Sequence, residues 1–291
     1  LGAALLLAGA GPAPAKPGKV ADPVCTNDSK WTDPAAPFRI FGNTWYVGTC
    51  GLSAILVTSK AGHVLIDAPM DENVSLIEAN IQRAGFKLKD VKYILFSHAH
   101  YDHVGGVARL ARDSGATVVG RGADAEAVER GKGGRDDPQF YSAGSFAPHS
   151  PVQRLDDGLI LLGPLAFTPV PTTGHTPGST SWTWQSCEKK RCVQIVYADS
   201  LTAISDDDYK FGDDGGHPGY LAAFRASIAR LERLDCDLLI TPHPAASAMW
   251  DRFGPSATRG PIDPTACHNL AVRAGKALDE RLAREAAPAR P

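Results

Sequence analysis

Residues 97 to 106 read Ser-His-Ala-His-Tyr-Asp-His-Val-Gly-Gly, so His98, His100, Asp102 and His103 fall within six positions. Only nine histidines occur in 291 residues, and three so close together are hard to assign to chance. Zinc takes imidazole nitrogen at ~2.0–2.1 Å and carboxylate oxygen at about the same distance, so side chains of one short turn can converge on one ion or two. His98 and His100 stand two apart, whereas Asp102 and His103 are adjacent. In an irregular turn these pairs can point at two separate centres. Two further histidines have similar settings: His175 in Thr-Thr-Gly-His-Thr-Pro-Gly and His243 in Thr-Pro-His-Pro, each directly after an apolar run. The chemistry such a set suits is hydrolysis assisted by metal.

The elements that must position these residues can be read from periodicity. Residues 91–96 form an apolar run with little alternation, the pattern of a buried strand, and it delivers the His98 turn. The spacing predicts helices over 73–84, 105–114 and 123–130, and a strand over 117–120. Short strands around Gly42-Asn43 and around Lys60-Ala61-Gly62 read as hairpins. Asp67 ends a strand, where its expected role is to hydrogen-bond the backbone of the metal turn. Residues 131–150 form a long loop rich in Gly and Asp, in which Gln139, Phe140 and Tyr141 are expected as a lip over a pocket. The pattern then repeats. Strands are predicted over 152–155, 159–162, 167–170, 180–185 and 193–198, then a helix over 220–234, a strand over 238–241, a short helix over 247–253 and a closing helix over 270–287. Two similar α/β halves in one domain follow, packed sheet on sheet with helices outside.

Apolar content of 43% and charged content of 21% describe an ordinary globular chain. A net charge of −2 provides no basic footprint for nucleic acid, and the longest apolar run, at residues 1–10, is too short to span a membrane. That run resembles the apolar part of a secretory signal peptide, so residues 1–22 are expected to be a signal remnant and arm, with the folded domain over 23–291. Six cysteines lie outside the histidine cluster. They allow 15 pairings. Sequence proximity suggests Cys25–Cys50, Cys187–Cys192 and Cys236–Cys267, and an oxidising, periplasmic setting for an exported protein. A cysteine-ligated zinc site is the weaker reading, because no C-x2-C pair is present.

His98-x-His100-x-Asp102-His103, Gly174-His175-Thr176 and the late His243 together resemble the metallo-β-lactamase superfamily, from about residue 38 to the end. Tyr197-Ala198-Asp199-Ser200-Leu201 and the cysteine framework resemble its subclass B3, in particular the members with three disulfides. The resemblance implies the αββα sandwich fold and two Zn2+ per chain. His98, His100 and His175 would hold the first, and Asp102, His103 and His243 the second. It implies hydrolysis of the β-lactam amide of penicillins, cephalosporins and carbapenems by a metal-bound hydroxide, and so antibiotic resistance. Asp102 would aim that hydroxide. Ser200 and Thr202 would donate to the substrate carboxylate, and Gln139 would also contact substrate. A small-molecule substrate, no nucleic acid, no membrane and a monomeric state are the expected partner pattern. The alternative is a lactonase or thioesterase on the same fold, in which Asp199 bridges two metals; the lactamase resemblance instead turns Asp199 away and Ser200 inward.

Overall fold

The structure is a computed structural model that describes residues 24–155, 157–254 and 257–287. The expected signal remnant lies outside these residues.

Strands with apolar residues on both faces need cover on both sides. Seven form the first sheet, in the order β1 (Phe38–Phe41), β2 (Thr44–Tyr46), β3 (Ile55–Ser59), β4 (Gly62–Ile66), β5 (Val91–Leu95), β6 (Thr117–Gly120) and β7 (Gln153–Arg154). The second sheet has five, which chain order introduces as β8 (Ile160–Leu162), β9 (Leu165–Pro171), β10 (Thr180–Glu188), β11 (Arg191–Tyr197) and β12 (Leu238–Ile240). In β3 and β4, Ile55, Val57, Val64 and Ile66 enter a core shared with Phe167, Trp182, Ile195 and Tyr197 of the facing sheet. Their neighbours Leu56 and Leu65 turn the other way, onto Ile77 of α1 (Val74–Arg83) and Leu110 of α3 (Val107–Ser114). The second sheet repeats this. Leu238 and Ile240 face the central core, while Leu239 meets Phe224 of α5 (Tyr220–Glu232) and Leu278 of α6 (Ala266–Ala286). This is the expected αββα sandwich. The period-two alternation of each strand builds it by sending successive side chains to opposite faces.

The ends of elements differ from the sequence reading. The helix expected over 105–114 is α3, which starts two residues later at Val107, and a short helix that was not expected, α2 (Tyr101–Val104), precedes it across Gly105 and Gly106. A Cβ on Gly106 would stand 2.6 Å from the Pro69 carbonyl oxygen, so the chain can pass there only without a side chain. The short helix expected over 247–253 is replaced by two 3₁₀ turns, Pro244–Ser247 and Met249–Asp251, with Ala248 between them in the left-handed region. The remaining helix, α4 (Gly122–Arg130), matches the expected 123–130 to one residue. All three disulfides form with the pairing that sequence proximity suggested. Among the described residues no helix is long and apolar enough to cross a membrane.

Candidate metal centre

The chain leaves β5 in extended form through His100 and then coils into α2. Residues two apart on an extended segment share a face, which directs His98 and His100 together, whereas Asp102 and His103 leave from the first turn of a helix. Asp67 pins this segment. Its Oδ1 accepts from the Ser97 backbone N–H at 2.7 Å and its Oδ2 from Ser97 Oγ at 2.8 Å and Tyr197 Oη at 2.7 Å. That is the backbone-bracing role expected of it, and it is held in a left-handed conformation, φ 60°, that Asp tolerates better than most residues. From the opposite sheet, Trp182 Nε1 donates to the Phe96 carbonyl at 2.9 Å and the Thr180 N–H to the Ser97 carbonyl at 2.8 Å.

A second buried carboxylate joins two ligand turns. Asp124, on α4, accepts from the Ala99 N–H at 3.0 Å, from Thr176 Oγ1 at 2.6 Å and from the Gly178 N–H at 2.8 Å. A Cβ on Gly178 would lie 2.5 Å from the Asp124 backbone nitrogen, so the His175 turn seats against α4 only with glycine there. His243 follows β12. Its turn is tied by Ser53 Oγ to the Thr241 carbonyl at 2.8 Å and by Thr241 Oγ1 to the His243 carbonyl at 2.8 Å.

These supports bring all six expected ligands together. The rings of His98, His100 and His175 lie mutually 4.7–4.9 Å apart, centroid to centroid, with interplanar angles of 69–89°. One ligand atom from each falls within 4.8 Å of the others. In the second group, His103 Nε2 lies 3.1 Å from His243 Nε2 and 3.2 Å from Asp102 Oδ2, and His243 Nε2 lies 3.3 Å from Asp102 Oδ2. Three ligand atoms at about 2.05 Å from a tetrahedral ion stand about 3.3 Å apart, so this triangle fits zinc. His98 belongs near both groups, its ring being 4.3 Å from that of His103.

Four of the five rings have a partner on the nitrogen away from the group. His98 Nδ1 meets Asp199 Oδ1 at 2.7 Å, His100 Nε2 meets Asp137 Oδ2 at 3.1 Å, His103 Nδ1 meets Asp67 Oδ2 at 3.3 Å, and His175 Nδ1 meets Thr202 Oγ1 at 2.8 Å. Such partners fix ring orientation and tautomer in metal sites. His98 Nε2 is left buried without a hydrogen-bond partner, the condition of a nitrogen waiting for a cation. Burial, followed by the neighbouring His103 and His175 imidazoles, holds His98 far below the usual histidine range. Burial and then His100 push His175 down to about 3. Both rings therefore keep a lone pair at neutral pH. His103 differs. Burial opposes its charge, but Asp102 and Asp67 outweigh that and raise it to about 10. Burial likewise opposes the charge on Asp102, yet the His103 contact holds its carboxyl far below the ordinary range. A cation held here would meet the two carboxylates of Asp102 and Asp67.

The two groups open on a cavity of about 610 Å³. Ser200, Thr202 and Gln139 all line it. Ser200 makes no side-chain hydrogen bond among the described residues, whereas Gln139 Nε2 lies 3.4 Å from His175 Nε2. Phe140 and Tyr141, expected in the lip, do not line the cavity. They stack edge to face on one another at 5.0 Å, and Phe140 carries Lys132 on its ring at 4.3 Å. Ser142 and Ala143 take their place. Trp31 was not anticipated as a site residue. Its ring lies 5.5 Å from that of His243, on a segment tied to the body by the Cys25–Cys50 disulfide and by Thr49 Oγ1 donating to the Trp31 carbonyl at 2.7 Å. Asp124 and Asp137 were also missed as supports. The Asp-Asp-Pro of the long loop hinted at Asp137, but nothing local marks Asp124.

Comparison with known proteins places this geometry. The metallo-beta-lactamase superfamily profile matches residues 47–188. The Rm3 metallo-beta-lactamase structure is 46% identical, with a TM-score of 0.84 over 88% of this chain and 96% of that one. MEM-A1, a subclass B3 metallo-beta-lactamase from a soil metagenome library, is 42% identical, with a TM-score of 0.85 over 88% of this chain and 99% of that one. A hydroxyacylglutathione hydrolase of Anaeromyxobacter dehalogenans is 32% identical over 142 residues, a match that spans 48% of this chain and 44% of that protein.

Proposed function

The chain belongs to the metallo-β-lactamase superfamily and resembles its subclass B3, and on that footing we propose that it is a zinc-dependent enzyme that hydrolyses the β-lactam amide of penicillins, cephalosporins and carbapenems, with two zinc ions per chain. The observation that carries this reading is the arrangement of two three-ligand groups beside Ser200 and Thr202 on one cavity wall. His98, His100 and His175 hold one ion, and Asp102, His103 and His243 the other. Bound zinc supplies Lewis acidity and brings the pKa of a coordinated water to about 7. The chain's own residues orient the reaction. Asp102 lines the cavity, where its carboxylate would accept a hydrogen bond from the attacking water. Ser200 Oγ donates to the carboxylate beside the lactam nitrogen. Thr202 Oγ1 accepts from His175 Nδ1 and so keeps its own proton to donate to the same carboxylate. The wall formed by Trp31, Tyr101 and Leu270 is apolar and covers the rest of the ligand. No side chain needs to bond covalently to the acyl group.

Three disulfides accord with export to an oxidising compartment, and we infer a periplasmic role in resistance to these antibiotics. The test is turnover by purified protein of a chromogenic cephalosporin and a carbapenem, with and without a chelator, beside a hydroxyacylglutathione thioester and a simple lactone. Chelator-sensitive hydrolysis of the β-lactams is expected. Turnover of the thioester or lactone alone would replace the lactamase reading with its rival.

A further inference from the structure

A second cavity, of about 290 Å³, lies against the turn that follows His243. Ala246 and Arg273 line both cavities and form the wall between them. We propose that this second cavity binds a small oxyanion of the phosphate or sulfate class on Arg252, Arg259 and Arg273.

Arg252 is the centre of the argument. It is 4% exposed and lines the cavity. Its Nη1 and Nη2 donate to the Leu239 carbonyl at 3.2 and 3.1 Å, and Nη2 also to the Ser247 carbonyl and Oγ, both at 3.3 Å. Its remaining neighbour is the ring of Phe253, 4.8 Å away. All of these are neutral. Among the described residues no carboxylate stands within ion-pair distance of Arg252, although Asp263 pulls on it most strongly. Asp251 is held by Arg259 at 3.1 Å and by Asn27 at 3.0 Å, and Asp263 Oδ1 accepts from the Thr265 N–H at 3.0 Å and Oγ1 at 2.7 Å. A buried guanidinium without a paired anion bears a desolvation cost that carbonyl oxygens offset only in part. Burial accordingly pushes Arg252 down to about 10, against the pull of Asp263.

The rest of the cavity completes an anion site. Arg259, paired with Asp251, and Arg273, which donates to the Ala246 carbonyl at 3.4 Å, add two further guanidinium groups, against the single lining carboxylate of Asp263. Ala266 and Asn269, in the first turns of the 21-residue helix α6, also line it, with Asp263 Oδ1 accepting from the Thr265 N–H at that helix end. A helix N-terminus adds partial positive charge to a site that already has a buried cation. The cavity is also linked to the metal centre. Ser247 Oγ, which contacts Arg252, lies 2.8 Å from Thr241 Oγ1, and Thr241 Oγ1 donates to the His243 carbonyl at 2.8 Å. An oxyanion that holds Arg252 therefore stiffens the segment carrying His243.

The site does not depend on the lactam reading, and its test uses no lactam. Metal-loaded protein is titrated with inorganic phosphate and, separately, sulfate, at constant ionic strength in chloride buffer, followed by thermal unfolding and calorimetry. The expected result is a saturable rise in Tm with half-saturation at or below about 1 mM. Saturable binding of either anion supports the site, and a preference for phosphate, which alone carries a proton for Asp263 to accept, names the ligand. Arg259→Gln should weaken binding by at least about fivefold, and Arg252→Lys, which loses the planar fork, should weaken it further. Should Arg252→Lys fail to fold, Arg259→Gln still decides the matter, because Arg259 is 58% exposed. The proposal is overturned by the absence of a saturable shift, or by a shift equal in wild type and Arg259→Gln, which would put the anion elsewhere, the metal centre included.

Discussion

Asp199 Oδ1 lies 2.7 Å from His98 Nδ1, and both side chains are sealed from solvent. This contact decides what His98 offers the cavity. With its Nδ1 engaged by a carboxylate, the ring presents Nε2, which has no other partner. It also decides the posture of Asp199, whose Oδ1 is spent behind His98, while the next residue, Ser200, lines the cavity and makes no side-chain hydrogen bond among the described residues. Asp137 behind His100 repeats the relationship, and Asp67 stands behind His103 Nδ1 at an ion-pair distance of 3.3 Å. Three imidazoles are thus each oriented by an aspartate drawn from a different part of the chain.

If these aspartates set the ligands, Asp199→Asn and Asp137→Asn should each lower metal affinity by about 10- to 100-fold while leaving the fold intact. Competition with a chromogenic chelator measures this, with circular dichroism as the control. Unchanged affinity in both variants would remove the orienting role.

Asp102→Ala takes one corner from the triangle of Asp102, His103 and His243. Elemental analysis should give two zinc ions per chain for the wild type and one for the variant, and hydrolysis should fall by at least about 1,000-fold. Full turnover with one zinc would contradict the roles assigned to the two groups.

Ser200→Ala and Thr202→Val separate binding from positioning. Loss of a hydrogen bond to a charged group costs about 1.5–3 kcal/mol, roughly a 10- to 150-fold change. For Ser200→Ala this should appear in KM with kcat little changed, since Ser200 touches no ligand ring. Thr202→Val should also lower metal affinity, because Thr202 Oγ1 holds His175 Nδ1 at 2.8 Å. Identical kinetic signatures for the two would count against the distinction.

The three disulfides should differ in worth. They close sequence separations of 25, 5 and 31 residues, for Cys25–Cys50, Cys187–Cys192 and Cys236–Cys267. Chain entropy then predicts losses of about 3.5, about 2 and about 3.5 kcal/mol when each is replaced by two alanines. Denaturant unfolding of the three double variants gives the order. The Cys25 and Cys50 variant should in addition show altered substrate KM, because that bridge ties down the segment bearing Trp31.

The six candidate ligands were legible because each lies in a local pattern that is rare by chance: a dense histidine turn after an apolar strand, or a histidine among glycine, threonine and proline. The sandwich was legible because strands covered on both faces announce themselves as apolar runs. The short helix α2 and the start of α3 at Val107 instead of Gly105 were not legible, since the Pro69 carbonyl that leaves no room for a Cβ on Gly106 is distant in sequence. The same reason hid Asp124, Asp137 and Trp31, whose partners lie 25 to 54, 37 and 18 to 212 residues away along the chain. The sequence alone determined which residues could bind metal and the layered fold that would carry them. Only the tertiary structure decided which atom each presents, which aspartate stands behind which ring and what lines the cavity, because orientation is set by contacts between segments that no local spacing encodes.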